Sequence, residues 1–142
     1  MLQKLLHQID LLHSFILKGN QHNSKVSDKG TYWQIDHSLQ VLHSVADVLK
    51  NSDPKDYHPK FSFTKLVIMG TGYIPRGKGR APKQTIPQND LSELELLSQL
   101  EKVKVEITNL SKLNKNKTFK HPLFGWLNLK DTIKFMGIHT NH

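Results

Sequence analysis

Residues 31–51 read TYWQIDHSLQVLHSVADVLKN, and the spacing within them decides the fold. Ile35, Leu39, Leu42, Val45, Ala46 and Leu49 recur at three- and four-residue steps, which at 100° per residue make one apolar stripe on a helix. Trp33, Val41 and Val48 carry the apolar surface around the other side. A helix apolar over more than half its circumference must pack against several neighbours, so this stretch predicts the central helix of a bundle. Ser52-Asp53-Pro54 ends it, because the residue before a proline is pushed out of helical conformation.

Outward from that helix the same period recurs. Leu2, Leu5, Leu6, Ile9, Leu12, Ile16 and Leu17 predict a first helix that stops at Lys18-Gly19-Asn20, followed by a polar loop from Gln21 to Gly30. Lys4, His7, Asp10 and His13 interrupt its apolar run and no small-residue cleavage site follows, so it reads as a helix of the mature protein and not as a signal peptide. Phe61 to Tyr73 is apolar and rich in β-branched and aromatic residues, so periodicity alone does not separate a short helix from a strand, and a short helix is the expectation. Residues 74–83, with two prolines and two glycines, predict a basic loop that holds both arginines, Arg76 and Arg80. Asp90 with Glu93 offers a capping box for a third helix over Asp90 to Leu113, with Leu91, Leu94, Leu97, Leu100, Val103, Ile107 and Leu110 as its apolar stripe. A lysine-rich linker and an apolar turn, His121 to Trp126, lead to a last helix that Asn128 caps, with Asp131 in its first turn. No strand alternation stands out. The expectation is one all-α domain over residues 1–142, a four-helix bundle with a short additional helix.

The chain has no cysteine, which excludes disulfides, thiolate zinc sites and thiol redox chemistry. No apolar run approaches the roughly 18–20 residues of a membrane span, so a soluble, cytoplasmic protein is expected. The net charge is +8, carried by 18 scattered lysines and two arginines. Recognition of phosphates and bases leans on arginine forks, so this distribution argues for a solvated lysine surface over a nucleic-acid interface. Gly77-Lys78-Gly79 is too short for a phosphate loop and no helix follows it directly.

Nine histidines make metal binding the chemistry to weigh. His7, His13, His22 and His58 fall on polar faces or in loops, His43 lies about 40° off the core stripe in a structural position, and His121 stands where it would cap or pack the turn. His37 falls between Trp33, Val41 and Val48 on the second apolar face, where a polar ring needs a partner or a metal. His139 shares a face with Thr132, Phe135 and Met136 and so points inward, with His142 at i+3. Two imidazoles three or four residues apart on a helix can chelate one divalent ion. At a chain end, such a histidine also reads as an expression tag or a frayed terminus.

Three blocks together resemble a known family: Thr31-Tyr32-Trp33-Gln34-Ile35-Asp36-His37, the loop Ile74 to Lys83, and His121-Pro122-Leu123-Phe124-Gly125-Trp126-Leu127 leading to His139-Thr140-Asn141-His142. They resemble a bacterial branch of the DinB/YfiT-like superfamily of metalloenzymes. The resemblance implies an up-down-down-up four-helix bundle and a divalent ion, nickel or zinc, held by one histidine of the second helix and a pair on the last. His37 and His139 match two of these ligands. The third position falls at 143, so either His142 substitutes for it or the last ligand lies past His142. The resemblance further implies a transferase- or hydrolase-like enzyme, in some relatives dependent on a low-molecular-weight thiol. Asp36 or Gln40 would orient the rings, and Arg76 and Arg80 would receive an anionic small-molecule substrate. Helix faces offer a route to a homodimer. A non-catalytic bundle that binds a ligand or partner, and a nucleic-acid-binding protein, are the alternatives.

Overall fold

Two helices running in opposite directions carry the two rings that meet at the candidate site. A computed structural model describes residues 1–77 and 80–142, so Lys78 and Gly79 of the basic loop, and the Gly77-Lys78-Gly79 reading with them, lie outside the described residues. The helices are α1 (Leu2–Leu17), α2 (Thr31–Asn51), α3 (Phe63–Thr71), α4 (Glu93–Asn109) and α5 (Leu129–Asn141). Between α4 and α5 lie two short antiparallel strands, β1 (Thr118–His121) and β2 (Gly125–Asn128), so the fold is mostly helical with a small hairpin. No helix of the described residues is long and apolar enough to cross a membrane.

Side-chain pairs fix the helix directions. Asp36 meets Gln99 and, seven residues on in both helices, His43 meets Glu106, so α2 and α4 run parallel. Tyr32 donates to the carbonyl of Ile16, which puts the start of α2 beside the end of α1. At the other end Ser52 accepts from the amide of Thr118, whose strand partner Asn128 begins α5, while the rings of His37 and His139 meet. The end of α2 therefore faces the start of α5, and the two helices are antiparallel. Leu39, Leu42 and Leu49 of α2 are fully buried in the core together with Leu5, Ile9 and Ile16 of α1, Leu96, Leu100 and Ile107 of α4, and Met136 of α5.

The hairpin corrects the expected lysine linker and apolar turn. Thr118 pairs with Asn128, Phe119 with Leu127, Lys120 with Trp126 and His121 with Gly125. The reversal needs Gly125 at φ 73°, a left-handed conformation that other residues adopt only with strain. Phe124 and Leu127 face the core, which gives these short strands the burial they need.

The start of α4 is a second correction. Its capping box is Ser92 with Glu95 and not Asp90 with Glu93: Ser92 Oγ accepts from the Glu95 amide at 3.2 Å, and Glu95 Oε2 accepts from the Ser92 amide at 2.7 Å. The buried stripe is Leu96, Leu100, Val103 and Ile107, with Leu94, about 200° around the helix from Leu96, left 78% exposed and Leu91 and Leu97 at the margin. The last helix begins as expected, with Asn128 Oδ1 accepting from the Asp131 amide at 2.8 Å. Removing that cap by Asn128→Ala should cost about 1 kcal/mol of stability, read from the urea midpoint, with no change in helix content at 25 °C.

Candidate metal centre

His37 is oriented by a turn far away in sequence. Its ring stacks on Trp33, one helical turn earlier, with centroids 5.5 Å apart, and its Nδ1 lies 2.7 Å from the carbonyl oxygen of Thr85. A carbonyl only accepts, so Nδ1 carries a proton and donates, and Nε2 is the nitrogen that bears the lone pair in the neutral tautomer. Thr85 is buried in the tight turn Lys83–Thr85 that closes the basic loop, and its hydroxyl donates back to the Pro82 carbonyl at 2.9 Å. Asp36 and Gln40, expected as the orienting partners, serve elsewhere. Asp36 is buried against α4, where its carboxylate accepts from Gln40 at 3.0 Å and Gln99 at 3.1 Å.

His139, near the end of α5, presents its ring edge-on to His37 at 5.3 Å. Its Nδ1 is shielded from solvent and has no hydrogen-bond partner, an uncommon state for a buried polar atom. Burial, reinforced by the neighbouring His37, His142 and His121, pushes its pKa down to about 4, so the ring is neutral at pH 7. His142 sits exposed at the C-cap of α5, with its pKa lowered first by partial burial and then by the charge of Arg76. Among the described residues no three His, Asp or Glu side chains stand together in a group fit to hold an ion. The geometry is a pair, His37 and His139, with His142 alongside.

His121 enters the same neighbourhood from the hairpin. Its Nδ1 accepts from the amides of Leu123 at 3.0 Å and Phe124 at 3.2 Å, as its position in the turn suggested. Two donors converging on Nδ1 require a lone pair there, so the ring proton sits on Nε2. The ring stacks on Phe124 at 3.9 Å and meets Phe135 edge-on at 4.6 Å, and burial pushes its pKa down to about 4. Sequence spacing accounts for the cap but gives no sign that the hairpin carries this ring toward His139. The other histidines are structural or solvated: His43 pairs with Glu106 at 2.8 Å, His22 bonds the Asp28 carbonyl at 3.0 Å, and His7 and His58 are exposed.

An open cleft of about 1930 Å³ joins these groups, and His37, His121, His139, His142, Arg76 and Arg80 all line it. Both arginines are exposed, and neither makes a salt bridge among the described residues. Arg76, whose charge acts on His142, is thus placed to meet an anion beside the histidines, and Arg80 to meet one elsewhere on the lining. Comparison with protein-family models, with curated proteins and with solved structures finds nothing that matches this chain.

Proposed function

We propose that the protein is a divalent-metal-dependent enzyme of the DinB/YfiT-like type, transferase- or hydrolase-like, whose ion is held first by the His37–His139 pair, with His142 as a third ligand that would have to close onto it. The observation that carries this reading is the contact of two differently prepared imidazoles. His37 is locked by the Thr85 carbonyl with its Nδ1 proton engaged, so that Nε2 is the nitrogen left to face a ligand, and His139 is neutral with a buried nitrogen that nothing satisfies. Both are the states in which imidazole ligates a metal, and the carbonyl behind His37 is the outer partner that such ligands use to fix their tautomer. The helix directions, α2 and α4 parallel with α1 and α5 opposed to α2, are also those of an up-down-down-up bundle.

A bound nickel or zinc ion would supply a Lewis acid able to bring a water or substrate thiol toward ionisation near neutral pH. The chain's own groups supply the rest. Arg76 and Arg80 bind an anionic substrate at the mouth, and the neutral His121 ring keeps its proton at Nε2, from which it can donate a hydrogen bond to a substrate oxygen or nitrogen within the cleft. Trp33 and Phe135 wall the histidine end and restrict water there.

Untagged protein should purify with about one equivalent of divalent metal by elemental analysis, and His37→Ala should weaken binding by roughly 100-fold or more, beyond what loss of an outer partner costs. Protein that takes up no zinc or nickel, with His37→Ala indistinguishable from it by titration, would end this reading.

A further inference from the structure

We infer that the cleft takes a small amphipathic anion, a carboxylate with an extended alkyl or acyl body, bound with its charged end at Arg76 and its chain along α2. The inference rests on the site proposed above and names the class of substrate it would receive.

The apolar surface carries the argument. Val41, Val45 and Val48 of α2 line the cleft at three- and four-residue steps, so one face of the helix forms its floor; Val41 and Val45 are packed into the core at 7% and 4% exposure, while Val48 stands 43% exposed. From His37 to Val48 this floor is eleven residues long, on the order of 16 Å at the helical rise. Phe63 and Val67 of α3 line it as a wall, 70% and 42% exposed, and Leu123 of the hairpin stands 63% exposed on the same cleft. Large apolar side chains gathered on one concave surface mark a binding site more than a chance exposure.

Charge gives the ligand its direction. The charge of Arg76 acts on His142, which neighbours His139 and so lies at the end where α2 presents His37, whereas Asp53 and Asp56 line the cleft just beyond the other end of α2. An anionic head is attracted at the first end and repelled at the second. A single apolar chain with one negative end satisfies floor, wall and both charges at once. An ordinary soluble metabolite would leave Val48, Phe63, Val67 and Leu123 uncovered.

The test is calorimetric titration of the full chain with acetate, hexanoate and decanoate, the last below its micellar concentration, with and without chelator, and with bound metal measured in parallel. Affinity should rise roughly threefold to fourfold per added methylene, as burial of alkyl surface requires. Val67→Glu, at an exposed position that can accept a charge without disturbing the core, should abolish the chain-length dependence while metal content stays unchanged. Arg76→Ala should weaken decanoate about tenfold at low salt. Equal affinity for acetate and decanoate would overturn the inference, as would decanoate binding that Val67→Glu leaves intact. A protein dimer that Val67→Glu dissociates would also overturn it, because a second copy would then be the cover of the cleft. Chain-length dependence in protein that holds no metal would support the inference while defeating the metal reading, so the two fail separately.

Discussion

Replacing Phe135 by alanine should lower the unfolding free energy by about 3–5 kcal/mol, the range for deleting a buried aromatic ring. Phe135 is 4% exposed at the centre of an aromatic group that ties α5 to the hairpin. Its ring stacks on Phe119 at 6.3 Å, receives His121 edge-on at 4.6 Å and Phe124 at 5.8 Å, and touches His139 at 5.9 Å. A two-stranded hairpin is marginal without such packing, so the cavity should also loosen β1 and β2. The consequence for the site follows directly. His121 and His139 each use Phe135 as a wall, so Phe135→Ala should weaken metal uptake although the residue has no ligand atom. Phe135→Leu, which keeps most of the apolar volume, should recover much of the stability. Urea unfolding followed by far-UV circular dichroism measures both variants. A loss below about 1 kcal/mol for the alanine variant would mean that α5 and the hairpin are not packed through this ring.

The contrast between α2 and the hairpin explains how much of this molecule the sequence discloses. The bounds of α2 and the Asn128 cap depend on residues three or four apart, and both agree with the structure. The hairpin depends on Phe119 and Leu127 finding each other and then Phe135, contacts that no local pattern announces. In α4 two overlapping capping boxes are written in the sequence, and local spacing alone does not choose between Asp90 with Glu93 and the observed Ser92 with Glu95. The site divides in the same way. Helical phase alone turns His37 and His139 inward, and the two rings do meet. The carbonyl that fixes the His37 tautomer lies 48 residues away at Thr85, and the path of the loop that brings Arg76 and Arg80 to the cleft is a tertiary property. Asp36, adjacent to His37 in sequence, points about 100° around the helix and belongs to the α4 interface.

Acidification should destabilise the metal-free protein well before its carboxylates titrate. His139 has its pKa pushed down to about 4 in the fold, against an ordinary value of 6.5. The unfolded chain therefore binds a proton that the folded protein refuses, and between these two values stability falls as pH falls. The contribution is complete above pH 6.5 and is lost progressively toward pH 4. From pH 7.5 to pH 5.0 the loss from His139 is about 2 kcal/mol, since 1.5 pH units lie below the unfolded value at about 1.4 kcal/mol each. His121, pushed down to about 4 by burial alone, adds to the loss in the same window, reduced by the side of its ring that meets solvent. Urea midpoints measured in chelator at half-unit steps should trace this decline. His139→Gln, which cannot titrate, should flatten part of it and leave the share of His121. A midpoint unchanged from pH 7.5 to 5.0 would show that these two rings can be protonated in place, which the buried nitrogen of His139 and the doubly bonded Nδ1 of His121 both oppose. Saturating zinc should steepen the profile, because protons then compete with the ion for the same lone pairs.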